Sequence, residues 1–218
     1  MPELLNLDAV DTDGAIRESM FQTVNDTRAD FLRKGVIGGG SLLVGVGLLS
    51  APSAFGATPS KKNDVAILNY ALTLEYLEAA FYNEAVASGA LSGVTLDFAK
   101  IVKDHENAHV AFLKKALGSA AVKKPKFDFK GTTKDQAKFQ ATSYVLENTG
   151  VAAYSGQATL IKQAAVVKAA VSILTVEARH AGWIGAIIGK APAPTRFDSA
   201  KSMKQILAAV KGTGFITG

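Results

Sequence analysis

The feature that most restricts what this chain can fold into is an internal repeat of glutamate, tyrosine and histidine at helical spacing. Glu75 is followed seven residues later by Tyr82, and Glu147 seven residues later by Tyr154. Glu75 lies 31 residues before Glu106, which opens Glu106-Asn107-Ala108-His109, and Glu147 lies 30 residues before Glu177, which opens Glu177-Ala178-Arg179-His180. The chain has only three histidines, His105, His109 and His180, against eight glutamates, so two such ExxH matches arise by chance about four times in a thousand, from 3 × (8/218)². Residues i and i+3 share a helix face, so each ExxH can offer one carboxylate and one imidazole to the same metal ion.

The surrounding stripes repeat as well. Leu72, Glu75, Ala79 and Tyr82 have the spacing of Tyr144, Glu147, Val151 and Tyr154, while Val102, Glu106, His109 and Leu113 match Ile173, Glu177, His180 and Ile184. Each carboxylate is therefore expected on a core face. Burying four unpaired carboxylates carries a penalty of several kcal/mol per ion, which two divalent cations would offset by supplying four positive charges. With no cysteine in the chain, the ligands must be carboxylates and imidazoles.

The rest of the later sequence predicts helices to carry these stripes. A first helix is expected from Asn63 to about Ser88, free of Gly and Pro, and a second from an N-cap at Thr95 to Leu117, stopped by Gly118. A connection holding Pro125, Phe127, Phe129 and Gly131 is long enough to cross the end of a bundle. Thr133-Lys134-Asp135-Gln136 has the capping-box pattern and opens a third helix running to about Ile161. After a break near Lys162-Gln163, a fourth helix is predicted from Ala164 to Ile188, stopped by Gly189, and a short terminal one over residues 199 to 211 beyond the Pro192–Pro194 linker. The fold class is all-α: a four-helix bundle over residues 58–190 with a long connection between the second and third helices, and a tail over 191–218.

Residues 1–57 read differently. A polar, acidic stretch to residue 27 is followed by Arg28, Arg33 and Lys34, then by an uncharged run from Gly35 to Ala57 ending in Ala54-Phe55-Gly56, small residues at both specificity positions of a signal-peptidase site. This predicts export to the cell envelope or beyond. Thr27-Arg28-Ala29-Asp30-Phe31-Leu32 is similar to a twin-arginine motif, with Ala29 where the second arginine would stand. The alternative is an uncleaved membrane anchor over residues 35–57. Residues 57–218 carry 20 Lys+Arg and 12 Asp+Glu, but the lysines are dispersed without interleaved aromatics, the pattern of a solvated helical surface and not of nucleic-acid binding.

Ala71-Leu72-Thr73-Leu74-Glu75-Tyr76-Leu77-Glu78-Ala79-Ala80-Phe81-Tyr82, with His105-Glu106-Asn107-Ala108-His109 and Val176-Glu177-Ala178-Arg179-His180, resembles the exported ferritin-like domain family that includes desiccation-associated proteins. The resemblance covers about residues 60 to 190. It implies a ferritin-like bundle with two Fe or Mn ions per chain, ligands at Glu75, Glu106, His109, Glu147, Glu177 and His180, and Glu106 and Glu147 or their repeat counterparts as the bridging pair. Two functional readings follow: an oxidoreductase acting on peroxide or dioxygen in stress protection, or a noncatalytic metal-binding envelope protein. The oligomeric state stays open.

Neighbouring residues carry weaker expectations. Helical side chains lean toward the N-terminus, so Tyr82 and Tyr154 are each expected to tilt back toward the glutamate of their own helix, with packing as the plain alternative. Glu78 has Gly150 as its repeat counterpart, so a solvent-facing role or one behind the ligands is expected. His105 stands before the ExxH glutamate where relatives carry an aspartate that orients an opposing histidine, and Val176 has the same place in the fourth helix. Arg179 is expected in a structural ion pair; Phe112 and Trp183, three residues after a histidine each, are expected to close the core.

Overall fold

In a computed structural model the described residues are 59–217, and the export and anchor expectations for residues 1–57 lie outside them. The described chain forms five α-helices: α1 (Lys61–Ser88), α2 (Gly93–Leu117), α3 (Gln136–Gln157), α4 (Ala164–Ile187) and α5 (Met203–Thr213). None of the described helices is long and apolar enough to cross a membrane.

The short turn after Ser88, with Gly89 at φ +71°, makes α1 and α2 an antiparallel pair. The Ser88 hydroxyl donates to the Thr133 carbonyl at 2.9 Å, and the Ser92 N–H donates to Gln136 Oε1 at 2.8 Å. So α3 starts at the C-terminal end of α1 and runs antiparallel to it. The connection from 118 to 135 therefore runs along the bundle instead of crossing its end. It is pinned to Asn69, whose amide donates to the Ala120 carbonyl and accepts from the Val122 N–H, and again to Glu84, which accepts from the Thr133 hydroxyl at 2.5 Å. Asn69 and Glu84 are 15 residues apart on α1, about 22 Å at helical rise.

Three predicted starts shift for identifiable reasons. Asp135, not Thr133, caps α3 by accepting from the Lys138 N–H at 2.8 Å, because Thr132–Lys134 is a tight turn whose Thr133 side chain is buried against Glu84. Ser92 precedes α2, and Thr95 is buried inside its first turn, where it accepts from the Gln140 amide at 2.8 Å. Ser60 caps α1 by accepting from the Asn63 N–H. The break after α3 lies where the sequence places it, at Ile161–Gln163, and its cause is remote. Fully buried Asp64 accepts the backbone N–H of Lys162 at 2.7 Å and of Gln163 at 2.9 Å, holding the turn that leads into α4 from across the bundle. This contact places the start of α4 beside the start of α1, so the two run parallel.

Two apolar clusters fill the bundle. Phe81, Phe98, Phe129 and Phe139 form an aromatic group with Tyr82, Phe81 stacking on Phe139 at 5.2 Å and meeting Phe129 edge-on at 5.4 Å. Each such fully buried side chain is worth about 1.5–3 kcal/mol. Leu72, Leu113, Leu117 and Ile173 pack with Tyr76 and Tyr154 toward the N-terminal end of α1. The terminal α5 docks through Ile206 and Val210, and its lead-in is tied to α3 by the Lys201 N–H donating to the Ala152 carbonyl at 3.0 Å. Glycine is required at this crossing, since a Cβ on Gly156 would stand 1.8 Å from the Lys201 carbonyl oxygen.

Candidate metal centre

The repeat stripes fold inward as their period demands. Glu75 on α1, Glu106 on α2, Glu147 on α3 and Glu177 on α4 are each 0 % exposed, and His180 is buried as well. His109 is half-buried. Their donor atoms fall into two overlapping groups in which all atoms lie within 4.8 Å of one another: Glu75, Glu106, His109 and Glu177 in one, Glu106, Glu147, Glu177 and His180 in the other. All six predicted ligand residues are thus brought to one place.

Glu106 and Glu177 belong to both groups, and Glu147 to one only, so the carboxylates that the two groups share come from the two ExxH motifs. Glu106 spans the centre, Oε2 lying 3.2 Å from His109 Nδ1 and Oε1 3.2 Å from His180 Nδ1. Glu75 Oε2 stands 3.1 Å from His109 Nδ1 and Glu147 Oε2 3.1 Å from His180 Nδ1, as end members. Both ExxH motifs lie on helices that face each other across the bundle, which is why their carboxylates meet in the middle.

The tyrosines correct an expectation. Tyr154 hydrogen-bonds to Glu75 and Tyr82 to Glu147, each in the opposite half of the repeat from its own glutamate. Seven residues of helix rise about 10.5 Å, too far for a tyrosine to lean back, whereas the antiparallel partner helix brings the other glutamate level with it. Ser143 Oγ, 2.5 Å from the Tyr82 hydroxyl, completes that contact.

Glu78 is not a surface carboxylate. It is 3 % exposed, and burial together with the charges of Glu177, Glu147, Glu106 and Glu75 pushes its carboxyl well above the usual range. The space it uses comes from its repeat counterpart: a Cβ on Gly150 would stand 2.9 Å from Glu177 Oε2 and 3.5 Å from Glu78 Oε1. A glycine opposite a fifth glutamate is visible in the sequence, but its purpose shows only in the packed bundle. His105 also has a definite place, with Nδ1 2.9 Å from His180 Nε2 and the two ring planes within 18° of each other. The position before the ExxH glutamate therefore does carry a partner for the opposing histidine. Arg179 forms no ion pair among the described residues and instead donates to the Thr175 carbonyl of its own helix at 3.0 Å. Phe112 and Trp183 are 45 % and 38 % exposed, Trp183 covering Phe98 edge-on at 5.1 Å, so they border the core instead of closing it.

The electrostatics of these side chains are those of crowded acids. Burial and neighbouring carboxylates hold Glu106 and Glu177 well above the ordinary carboxyl range. The balance falls the other way at Glu75, where hydrogen bonds and charge from His109 outweigh burial and lower it. Burial opposes charge on His109, but the carboxylates of Glu106, Glu177 and Glu75 around its Nδ1 raise it to about 12, and burial of His180 is outweighed chiefly by Glu147, which raises it. Even so, Glu106 Oε1 and both oxygens of Glu177 are buried without a hydrogen-bond partner among the described residues. Orphaned buried carboxylate oxygens are costly, and a cation between them would satisfy all three. An oxygen-rich set with one imidazole per group suits Fe or Mn.

A comparison with curated proteins finds no match to this chain. A family model, described as a ferritin-like domain, matches residues 63–190, the span of α1 to α4 and the connections between them. With the all-helical bundle and the Glu/His cluster on its axis, this places the chain in the ferritin-like domain family.

Proposed function

We propose that the protein binds two Fe or Mn ions between Glu75, Glu106, His109, Glu147, Glu177 and His180, and uses them in oxidoreductase chemistry on peroxide or dioxygen outside the cytoplasm. The observation that carries the metal reading is the pair of overlapping donor groups sharing Glu106 and Glu177, three of whose buried oxygens make no hydrogen bond among the described residues. When bound, such an ion pair supplies redox equivalents and polarises an oxygen ligand.

The chain's own residues would do the remaining work. Glu106 and Glu177 would hold the two ions together, and Glu75 and Glu147 would terminate the centre, each fixed by the tyrosine of the other half. Tyr82 and Tyr154 hold their protons firmly, being raised well above the ordinary phenol range by burial and the carboxylates they touch. Glu78, raised by the same crowding, would keep a proton beside Glu177. Bulk water is excluded from all these groups except on the His109 side, where the imidazole is 12 % exposed.

The test is metal content followed by turnover. Elemental analysis of reconstituted protein should approach two Fe or Mn per chain, and the loaded protein should consume hydrogen peroxide or dioxygen. Full loading without turnover would support the second reading, a noncatalytic metal-binding envelope protein, which the near-complete burial of the carboxylates favours. A folded protein that takes up no metal would refute both. Export rests on residues 1–57 alone, and amino-terminal sequencing from the native host checks it: a start near Ala57 is expected, and a full-length cytoplasmic chain would contradict it.

A further inference from the structure

We propose that His105 is a positioning residue that fixes the ring of His180, making the His180 half of the centre bind its ion more tightly than the His109 half. The proposal rests on reading the six residues as metal ligands. Its own support is an asymmetry in an otherwise repeated site.

His180 turns Nδ1 inward, 3.1 Å from Glu147 and 3.2 Å from Glu106. A nitrogen that ligates a metal carries no proton, so in the loaded site the ring proton must sit on Nε2. Nε2 lies 2.9 Å from His105 Nδ1, which can accept that proton's hydrogen bond, and the two ring planes are within 18° of each other. The tautomer and the ring's rotation are thereby both set. An outer partner of this kind is commonly worth 10–100-fold in metal affinity.

The other half lacks the device. His109 also turns Nδ1 inward, 3.1–3.3 Å from Glu75, Glu106 and Glu177. The repeat places Val176 where His105 stands, and a valine side chain offers no acceptor. Among the described residues no hydrogen bond reaches His109 Nε2, and its ring must be oriented by the inner carboxylates alone.

The test is a Co(II) titration of the metal-free full-length chain, followed by visible absorbance. Wild type should titrate in two unequal steps. H105A should weaken the tighter step by 10–100-fold and leave the weaker one in place. H105N puts an amide oxygen where Nδ1 stood and should recover most of the loss, a rescue that mere packing would not give. V176N, which supplies the missing acceptor to His109, should tighten the weaker step. Equal steps in wild type, or an H105A titration indistinguishable from wild type, would overturn the proposal. No cobalt uptake by the wild-type protein would instead overturn the metal centre itself, and so separates the two failures.

Discussion

The Tyr154 hydroxyl donates to Glu75, a carboxylate 79 residues earlier in the chain and on the helix that runs antiparallel to its own. With Tyr82 on Glu147 as its mirror, the centre is closed by crossed contacts, so each half of the repeat depends on the other. Tyr154→Phe should retain metal, because the ligand set is intact, but change the absorption spectrum of the Co(II) form as Glu75 loses its donor. An unchanged spectrum would show that the contact has no hold on the carboxylate.

Glu147 and Glu78 are both buried carboxylates, yet only Glu147 belongs to a donor group. Glu147→Ala should reduce metal per chain sharply, while Glu78→Gln should leave it near the wild-type value. In the metal-free protein Glu78→Gln should raise the melting temperature at pH 8, by about 2–4 °C for each kcal/mol that burying and protonating this carboxyl costs. Equal metal loss in the two variants would place Glu78 among the ligands.

The metal-free protein should become less stable as pH rises from 5 to 8. Glu78, Glu106 and Glu177 have folded pKa values raised above the unfolded 4.5, so the folded state keeps protons that the unfolded state has lost. His109, raised to about 12, and His180, also raised, contribute stability that is fully present below pH 6.5 and lost as pH climbs toward their folded values. The lowered Glu75 acts with the opposite sign, but only below about pH 4.5. Calorimetry across this range should show the melting temperature falling with pH without metal, and much less so with metal, whose charge replaces the protons.

Gly150→Ala tests the space between Glu78 and Glu177. Its Cβ would meet Glu177 Oε2 at 2.9 Å, and a side-chain carboxylate can move aside. Folding should therefore survive with a cost of about 1–3 kcal/mol, while metal affinity falls because a shared carboxylate has been displaced. Unaltered affinity would mean that Glu177 does not join the two donor groups.

Asp64→Ala should destabilise the protein by about 1–3 kcal/mol without touching the centre, since it leaves the Lys162 and Gln163 N–H groups of the turn before α4 without their acceptor. Denaturant unfolding would measure it, with metal content as the control. A loss confined to metal binding would show that Asp64 acts on the site and not on the helix start.

The helices, their inward stripes and the six Glu and His residues of the centre were legible in the sequence, because a 3.6-residue period and an i, i+3 pair are properties of neighbours along the chain. The repeat alone brought Glu75 into register with Glu147 and His109 with His180. Contacts across the bundle were not legible. Which carboxylates are shared, which tyrosine holds which glutamate, why α3 stops at Gln157, and where Glu78, His105 and Trp183 sit all depend on the direction and depth of facing helices. The antiparallel course of α1 and α3 is fixed by Thr133 and Gln136 meeting Ser88 and Ser92, and the start of α4 by Asp64. Local periodicity selects a face for each residue. Only packing decides what that face meets, because the partner lies tens of residues away and no spacing within one helix records it.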